Sequence, residues 1–474
     1  DKQTTKLRIV YDASSKPSKN LPSINECLTQ GPSLNPLLFD ILIRFRVNPT
    51  AFICDIVKGF LQIHIDEHDR DALRFLWVDD PLAADPEIII YRFTRVLFGL
   101  NCSPFLFNAT LREHFGKYLN EHEAHVESIM RSLYVDDYTG GACDTDHAHE
   151  IYKLMKSILK LGGFDIHKFV TNDSDLSQRV SLDDTTPIEN SESYADRTLG
   201  NTSEKTKVLG VPWCNASDEL IIEFTHVTQS ADETTTPTKR SLLSTLAKLY
   251  DPLGFVSPVA MQAKMIFQEA CRREIGWDDP LPHDLSSKFQ SWLATLKSAL
   301  KFSIPRCYAL NSIAQLMLVG FSDASQVGYA AVIYLRATLD SGLVTTMLVA
   351  SKARIAPLKG EKMTIPRLEL LGCLILARLM EKVKQALESS LLETRFYSDS
   401  TINLHRIKGR QREYKQFVEN RLAEIRTKSS HDSWYFVPGE LNPSDLPSRG
   451  GDATNLNDKW VKGPIFIQQP EIEI

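Results

Sequence analysis

Tyr134-Val135-Asp136-Asp137 puts two adjacent carboxylates behind a short apolar run, Leu133 to Val135, and ahead of Thr139-Gly140-Gly141. That order predicts a β-hairpin whose tip presents both acids. Two like charges on one tip are unfavourable unless a cation neutralises them. Hard divalent cations such as Mg²⁺ take carboxylate oxygens. A pair of such ions stabilises both the attacking and the leaving oxygen of a phosphoryl transfer. Asp-Asp in a turn is by itself ordinary turn chemistry, so the metal reading needs acids from elsewhere. Asp55 offers one, at the end of the apolar run Ala51-Phe52-Ile53-Cys54. A second set is more dispersed: Asp323 in Phe321-Ser322-Asp323-Ala324-Ser325, Glu369 after Ile365-Pro366-Arg367-Leu368, Asp399 in Tyr397-Ser398-Asp399-Ser400, and Asp445 after Asn442-Pro443-Ser444. A lone strand-end Asp is commonly a helix cap. Four acids at strand ends and early in helices can ring two Mg²⁺ ions that activate a water and hold a scissile phosphate.

The elements that must carry these acids are legible in the hydrophobic pattern. Ala51 to Asp55 predicts a buried strand. Phe60 to Ile65 alternates and predicts a half-exposed one. Leu73 to Val78 and Glu87 to Phe98 predict strands joined across Asp79-Asp80-Pro81. Ser103-Pro104 opens a helix. Asp144 to Gly162 predicts another, with Ile151, Leu154, Met155, Ile158 and Leu161 on one stripe and Gly162-Gly163 as its stop. Asn172 to Lys207 is rich in Ser, Thr, Asp and Asn and reads as a long surface insertion. Lys207 to Trp213 and Glu219 to Phe224 predict a β pair, Thr228 to Thr238 a polar break, and Lys239 to about Leu300 a helical stretch interrupted at Asp251-Pro252-Leu253-Gly254. Five strands follow, over 316–321, 328–335, 343–350, 395–398 and 434–437, with helices over 365–384 and 412–428 between the later ones.

At 474 residues the chain is long enough for several domains. Its 43% hydrophobic and 24% charged content is that of a globular protein. The N-terminal residues lack the apolar core of a secretory signal, and no apolar run reaches the ~18 residues of a membrane span. An intracellular, cytoplasmic protein without membrane association is expected. The chain opens on Asp1 rather than Met, as a piece cut from a polyprotein would. The eight cysteines form no C-x-x-C pair, which argues for buried reduced thiols. The net charge of -6 argues mildly against nucleic-acid binding, but local patches carry more information. Lys352, Arg354, Lys359, Lys362 and Arg367 precede Glu369, and Arg406, Lys408, Arg410, Arg412 and Lys415 follow Asp399. They suit the phosphates of an RNA/DNA hybrid or form a solvated face.

With these motifs assembled, the chain resembles the reverse transcriptases of retroviruses and LTR retrotransposons, and most closely the BEL/Pao group. Asp55 to Ile63, Phe98-Gly99-Leu100 through Phe107, and Tyr134-Val135-Asp136-Asp137 resemble the family's first catalytic block, its template and primer block, and its signature. Arg8-Ile9-Val10-Tyr11-Asp12 resembles the fingers block, Gly162-Gly163-Phe164 with Lys168 the block after the second palm helix, and Val208 to Trp213 the primer grip. Thr238-Lys239-Arg240 through Pro258 resembles the segment that BEL/Pao elements carry next. The region around Asp323, Glu369, Asp399 and Asp445 resembles ribonuclease H, with its four acids in the expected order. These blocks span nearly the whole chain.

The resemblance implies a multidomain α/β and α+β chain: a right-hand polymerase of fingers, palm and thumb, followed by a ribonuclease H-like α/β domain. The expected boundaries are 1–172 for fingers and palm, 173–237 for the insertion and primer grip, 238–305 for a thumb or connection, 314–450 for the ribonuclease, and 451–474 for a tail. Asp55, Asp136 and Asp137 would hold one metal pair, and Asp323, Glu369, Asp399 and Asp445 the other, with Mg²⁺ or Mn²⁺ as the ion. Arg8 would pair with the incoming triphosphate. Phe60 stands at the steric-gate position, or packs in the core. Gly99 would let backbone approach a template base or nucleotide. Tyr134 would line the substrate site. Lys168 would protonate the leaving pyrophosphate, or is an ordinary surface lysine. Asn442 stands nearest to where many ribonucleases H have a His, and Leu97 where many relatives have Pro.

The implied partners are an RNA template, a DNA primer, the RNA/DNA hybrid, dNTPs and the other pol and gag products of the element, within a virus-like particle. The resemblance leaves oligomeric state open. Two rivals stand beside this reading. One is a domesticated, inactive nucleic-acid-binding copy, against which all seven acids count. The other is a polyprotein piece acting chiefly as an aspartic peptidase. Asp340-Ser341-Gly342 is its one motif, and it sits where a hairpin turn between two predicted strands needs such residues. His122/His125 and His147/His149 have no carboxylate or Cys pattern that predicts a zinc site.

Overall fold

The computed structural model describes residues 10–83, 85–183, 206–232, 236–308, 313–358, 363–388, 392–409 and 414–473. The chain divides into two compact units, Asp1–Leu37 with Thr50–Ser203, and Leu38–Pro49 with Glu204–Ile474. No described helix is long and apolar enough to cross a membrane.

The first unit is built on β1 (Thr50–Ile56), with β2 (Arg74–Val78), β3 (Ile88–Arg92), β4 (Leu133–Tyr134), β5 (Asp137–Ala142) and β6 (Ile166–Thr171). Four of them form an antiparallel sheet in the order β4-β5-β1-β6, while β2 and β3 pair apart as a hairpin. β1 is buried along almost its whole length, which is why its sequence is an apolar run and not an alternation. Helices Ser103–Gly116 and Thr145–Leu161 cover one face. Their Phe107, Leu111, Phe115, Tyr152, Met155 and Ile158 pack with Phe52, Cys54 and Tyr138 in one core. The first helix has Pro104 in its first turn. The second is capped by Asp144, which accepts the His147 backbone N–H, and stops at Gly162, as its sequence predicts. Leu161 of the expected stripe is 70% exposed, because it lies in the last turn beyond the sheet-facing positions.

Two expectations fail in this unit. Phe60 to Ile65 is not a strand. Gly59–Gln62 is a helical turn entered through Lys58 in the left-handed region (φ 49°), and only His64 bridges to Arg95. The turn delivers Phe60 into the core, and a Cβ on Gly59 would meet the Phe107 ring at 2.6 Å. Core packing thus overrides an alternating pattern. The helix Leu119–Ser132, kinked at His122, was not legible because its polar composition hides the buried Val126 and Ile129. Within the expected polar insertion, Ser174–Asp183 forms a helix, and 184–205 lie outside the described residues.

The second unit contains β7 (Lys207–Val208), β8 (Val211–Cys214), β9 (Glu219–Glu223) and β10 (Lys301–Pro305), in the order β10-β9-β8-β7. Helices Thr225–Asp232, Lys239–Ala247, Ser257–Arg272 and His283–Ala299 lie between β9 and β10, the first over part of the expected polar break. At the Asp251–Gly254 interruption, the Asp251 carboxylate accepts the N–H groups of Phe255 and Val256. Burial nevertheless pushes its pKa up to about 6. Arg46 and Arg306 are fully buried. Arg46 donates to the carbonyls of Arg306 and Leu348, and Arg306 to those of Phe45, Asn48 and Pro49 and to the Asp218 carboxylate. These bonds fasten the segment 38–49 to this unit.

The remaining strands are β11 (Ile313–Ala324), β12 (Gly328–Leu339), β13 (Val344–Ile355), β14 (Glu393–Ser398) and β15 (Trp434–Phe436). They form one sheet in the order β13-β12-β11-β14-β15. The first three are antiparallel, and β14 and β15 run parallel to β11. The helix Ile365–Leu387 lies against β11 and β12 through Leu376, Met380 and neighbours. Asp340-Ser341-Gly342 is the β12–β13 turn, with the Gly342 N–H donating to Leu339. Residues after Gly451 pack back on this sheet. Tyr334 donates its hydroxyl to the Trp460 carbonyl, and Arg336 reaches the carbonyls of Ile467 and Gln469.

Candidate active sites

Each acid set is a product of strand register. In the first unit β1 and β5 pair so that Asp55 faces Asp137 directly. β4 and β5 are joined by Val135 and Asp136 alone, with Tyr134 opposite Asp137. Val135 takes a left-handed φ of 58°, a strained choice for a β-branched residue and one that marks functional turns. Its side chain is fully buried, which anchors the turn. The Asp136 carbonyl accepts the Ile56 N–H at 2.7 Å, so the turn is also tied to the end of β1. Asp55 and Asp136 are buried, at 5% and 8% exposure. The Cys54 thiol is held well above its usual range by burial, and then by the charges of Asp55 and Asp137. The Lys168 ammonium lies 3.1 Å from Asp55 Oδ2.

Phe60 is buried against Phe98 and Phe107, with ring centroids 5.1 and 5.4 Å away. Gly99 has φ 110°, and a Cβ there would lie 2.0 Å from the Tyr11 carbonyl oxygen. The close approach at this glycine is therefore made by the chain's own backbone. Tyr134 is half-buried on the core. Arg8 lies outside the described residues.

In the second unit Ser322 of β11 pairs with Ser398 of β14, so the next residues, Asp323 and Asp399, leave adjacent parallel strands side by side. Glu369 comes from the first turns of the helix Ile365–Leu387, and Asp445 opens the short helix Asp445–Arg449. The Asp399 carboxyl is pushed up to about 7 by burial, and then by the charges of Asp323, Glu369 and Asp445. All four acids thus share one electrostatic neighbourhood. Burial also raises the Asp323 pKa, against the pull of the Ser448 hydroxyl, which donates to Oδ2 at 2.5 Å. Ser400 donates to Glu369 Oε2 at 2.5 Å, and Arg449 pairs with Asp445. Asn442 is buried. Its amide donates to the Ser322 carbonyl at the end of β11, and its Oδ1 accepts the Ser444 N–H, fixing the loop that delivers Asp445.

The sequence reading missed Ser400 and Ser448, and also Asn403, whose side-chain amide donates to Glu369 Oε2 at 3.3 Å and to Ser400 Oγ at 2.9 Å. A Ser directly after Asp399 and another three residues after Asp445 were the available signals, but such spacings are common and carry no weight without the fold.

Whether these sites suit divalent cations can be judged from the donors. Asp399 Oδ1 is buried without a hydrogen-bond partner. Four carboxylates crowd one pocket, and a hard cation would satisfy both the orphan oxygen and the charge. At Asp55 an ammonium already neutralises part of the acid cluster. Both sets fit. Cys143, Asp144 and His147 bring three metal-capable atoms within 4.8 Å of one another, a grouping the sequence reading did not single out. All three are exposed, and the grouping is a helix cap: Asp144 accepts from both the backbone and ring nitrogens of His147.

Lys352 and Arg421 are held below their usual pKa range by burial, and then by neighbouring cations, including Arg354 and Lys382 for Lys352 and Arg378 for both. A basic surface therefore lies across β13 and the helix Ile365–Leu387. Lys359, Lys362, Arg410 and Arg412 lie outside the described residues.

Comparison with known families and structures agrees with this architecture. Residues 44–211 match the model for reverse transcriptase (RNA-dependent DNA polymerase), and residues 238–400 match the Pao retrotransposon-like RNaseH-like domain. Such domains typically use divalent metals. Among solved structures, the chain is similar to a foamy viral protease-reverse transcriptase bound to double-stranded DNA, with TM-score 0.54 and 15% identity over 89% of this chain. A second, bound to an RNA/DNA hybrid, gives TM-score 0.51 at the same identity and coverage. The chain spans 64% and 50% of the length of those proteins. No curated protein matches it.

Proposed function

We propose that this chain, whose residues 44–211 match the model for reverse transcriptase and whose residues 238–400 match the Pao retrotransposon-like RNaseH-like domain, is an RNA-directed DNA polymerase that also cuts the RNA strand of RNA/DNA hybrids. The observation that carries the polymerase half is the β1–β5 register, Asp55 against Asp137, beside the two-residue turn that holds Asp136. The ribonuclease half rests on the shared pocket of Asp323, Glu369, Asp399 and Asp445.

In the first site Asp55, Asp136 and Asp137 would hold two Mg²⁺ ions, with Mn²⁺ as an alternative; the other four acids would hold the second pair. Bound there, the metals supply Lewis acidity and charge neutralisation to a phosphoryl transfer. The protein contributes positioning. The buried Val135 fixes the turn, and the Ile56 N–H bond to Asp136 keeps it against β1. Phe60, rigid between Phe98 and Phe107, is the candidate for excluding a ribose 2′-OH. In the second site Ser448, Ser400 and Asn442 orient Asp323, Glu369 and the loop before Asp445. The basic surface of Lys352, Arg354, Arg378 and Lys382 suits the backbone of a hybrid duplex. The substrates would be dNTPs, an RNA template and a DNA primer, with the other products of the element as partners in a cytoplasmic particle.

The test is a pair of variants of the full chain assayed with Mg²⁺. Asp136→Asn should lower primer extension on an RNA template by about 10³-fold or more while hybrid cleavage persists, and Asp399→Asn should do the reverse. Primer extension at the wild-type rate by Asp136→Asn refutes the polymerase assignment. Undiminished cleavage by Asp399→Asn refutes the other.

A further inference from the structure

The pairing of β1 with β6 is broken at one place. Phe52 faces Thr171 and Ile53 faces Val170, a register that would bring Asp55 opposite Lys168. Instead Asp55 faces His167 and Ile56 faces Ile166. One extra residue is accommodated in β6, across from Cys54. It is a β-bulge, and Lys168 lies in it with a left-handed φ of 53°. Lysine has no intrinsic reason to take that conformation, and a glycine there would take it without strain. Bulges recur beside active sites, where they redirect a side chain. Here the bulged lysine carries its ammonium to 3.1 Å from Asp55 Oδ2, while the next residue, Phe169, turns to the opposite side and packs on Phe52 and Tyr152.

The electrostatics give the contact a purpose. The Asp55 side chain is only 6% exposed, beside buried Asp136 and facing Asp137. An ionised carboxylate at that depth needs a counter-charge. The Lys168 side chain keeps 25% exposure and so has a route to solvent. A lysine is suited to the task because its charge is compact and its stem flexible, so it can come and go where a planar Arg fork would lock on.

We propose that Lys168 is an internal stand-in cation: its ammonium holds Asp55 in the metal-free protein and is displaced from it when a divalent ion binds. This inference rests on the polymerase reading of Asp55 and adds a regulated step to it. Lys168 is a positioning residue for Asp55. Metal affinity at this site is set by competition with the protein's own ammonium, and loading the ion frees the Lys168 side chain at the edge of the site.

The test uses the full chain in an Asp399→Asn background, which cripples the second site, with Mn²⁺ alone as the probe and its free concentration read by electron paramagnetic resonance. Lys168→Met should bind Mn²⁺ about tenfold more tightly, the scale of one charged hydrogen bond removed from the competition. Lys168→Arg, which keeps the charge, should not gain affinity. Unchanged affinity in Lys168→Met overturns the proposal. A readout on the unaltered protein needs no variant to fold: acylation of the Lys168 amine, followed by mass spectrometry, should accelerate when Mn²⁺ is added. A rate indifferent to Mn²⁺ also overturns it. The polymerase reading is judged separately by Asp136→Asn primer extension, so its failure and the failure of the Lys168 proposal are told apart.

Discussion

Asp399→Asn should make the metal-free protein more stable at alkaline pH while destroying hybrid cleavage. Asp399 is held at a pKa of about 7 against an ordinary value of 3.8, first by burial and then by Asp323, Glu369 and Asp445. Its folded form therefore binds a proton more tightly than its unfolded form. The stability this contributes is fully present below about pH 4 and is lost as the pH rises through 7. In a fully buried carboxyl that difference is worth about 4 kcal/mol. Asp399 is only half-buried, so solvent screening reduces the figure to roughly 1–2 kcal/mol. The Asn variant carries no such charge and does not share the loss. The assay is thermal unfolding of both proteins in excess EDTA at pH 5 and pH 8. Relative to wild type, the variant should gain roughly 3 °C or more on going from pH 5 to pH 8. An offset independent of pH, or one that moves the other way, refutes the claim that the four acids repel one another in one pocket.

Three further outcomes are expected. Gly99→Ala combines a φ of 110° with a Cβ 2.0 Å from the Tyr11 carbonyl oxygen. It should cost about 2–4 kcal/mol in urea denaturation of the first unit; a loss under ~0.5 kcal/mol would show that Tyr11 yields freely. Arg46→Met strands the buried carbonyls of Arg306 and Leu348. It should destabilise the second unit by about 3 kcal/mol or more by denaturant unfolding, and Arg46→Lys should not restore it, since a single ammonium cannot serve carbonyls spread around a fork. Asn442→Ala removes the bonds to Ser322 and Ser444. It should cost about 2 kcal/mol and slow hybrid cleavage about tenfold while leaving primer extension at its original rate.

The sheets were legible where burial and sequence period agree. β1 is apolar because both faces are covered, and β11 to β15 fall where the five runs predict them. The helix starts at Ser103 and Asp144 follow from Pro in a first turn and Asp at a cap, which are local rules. Reading failed where tertiary packing outvoted the local pattern. The alternation from Phe60 to Ile65 looks like a strand, but Gly59 and the Phe107 ring make it a turn that buries Phe60. The helix Leu119–Ser132 is too polar to announce itself.

The amino-acid sequence alone determined which carboxylates exist and in what order, because the residue types that bind hard cations and the motifs around them are local properties. Only the tertiary structure decided that Asp55 meets Asp137, 82 positions later in sequence, across two paired strands, that Asp323 and Asp399 emerge side by side, and that Ser400, Asn442 and Ser448 hold their acids in place. The same is true of Lys168. Its bulge arises from a one-residue mismatch between two paired strands, and a mismatch is a property of the pair and not of either sequence.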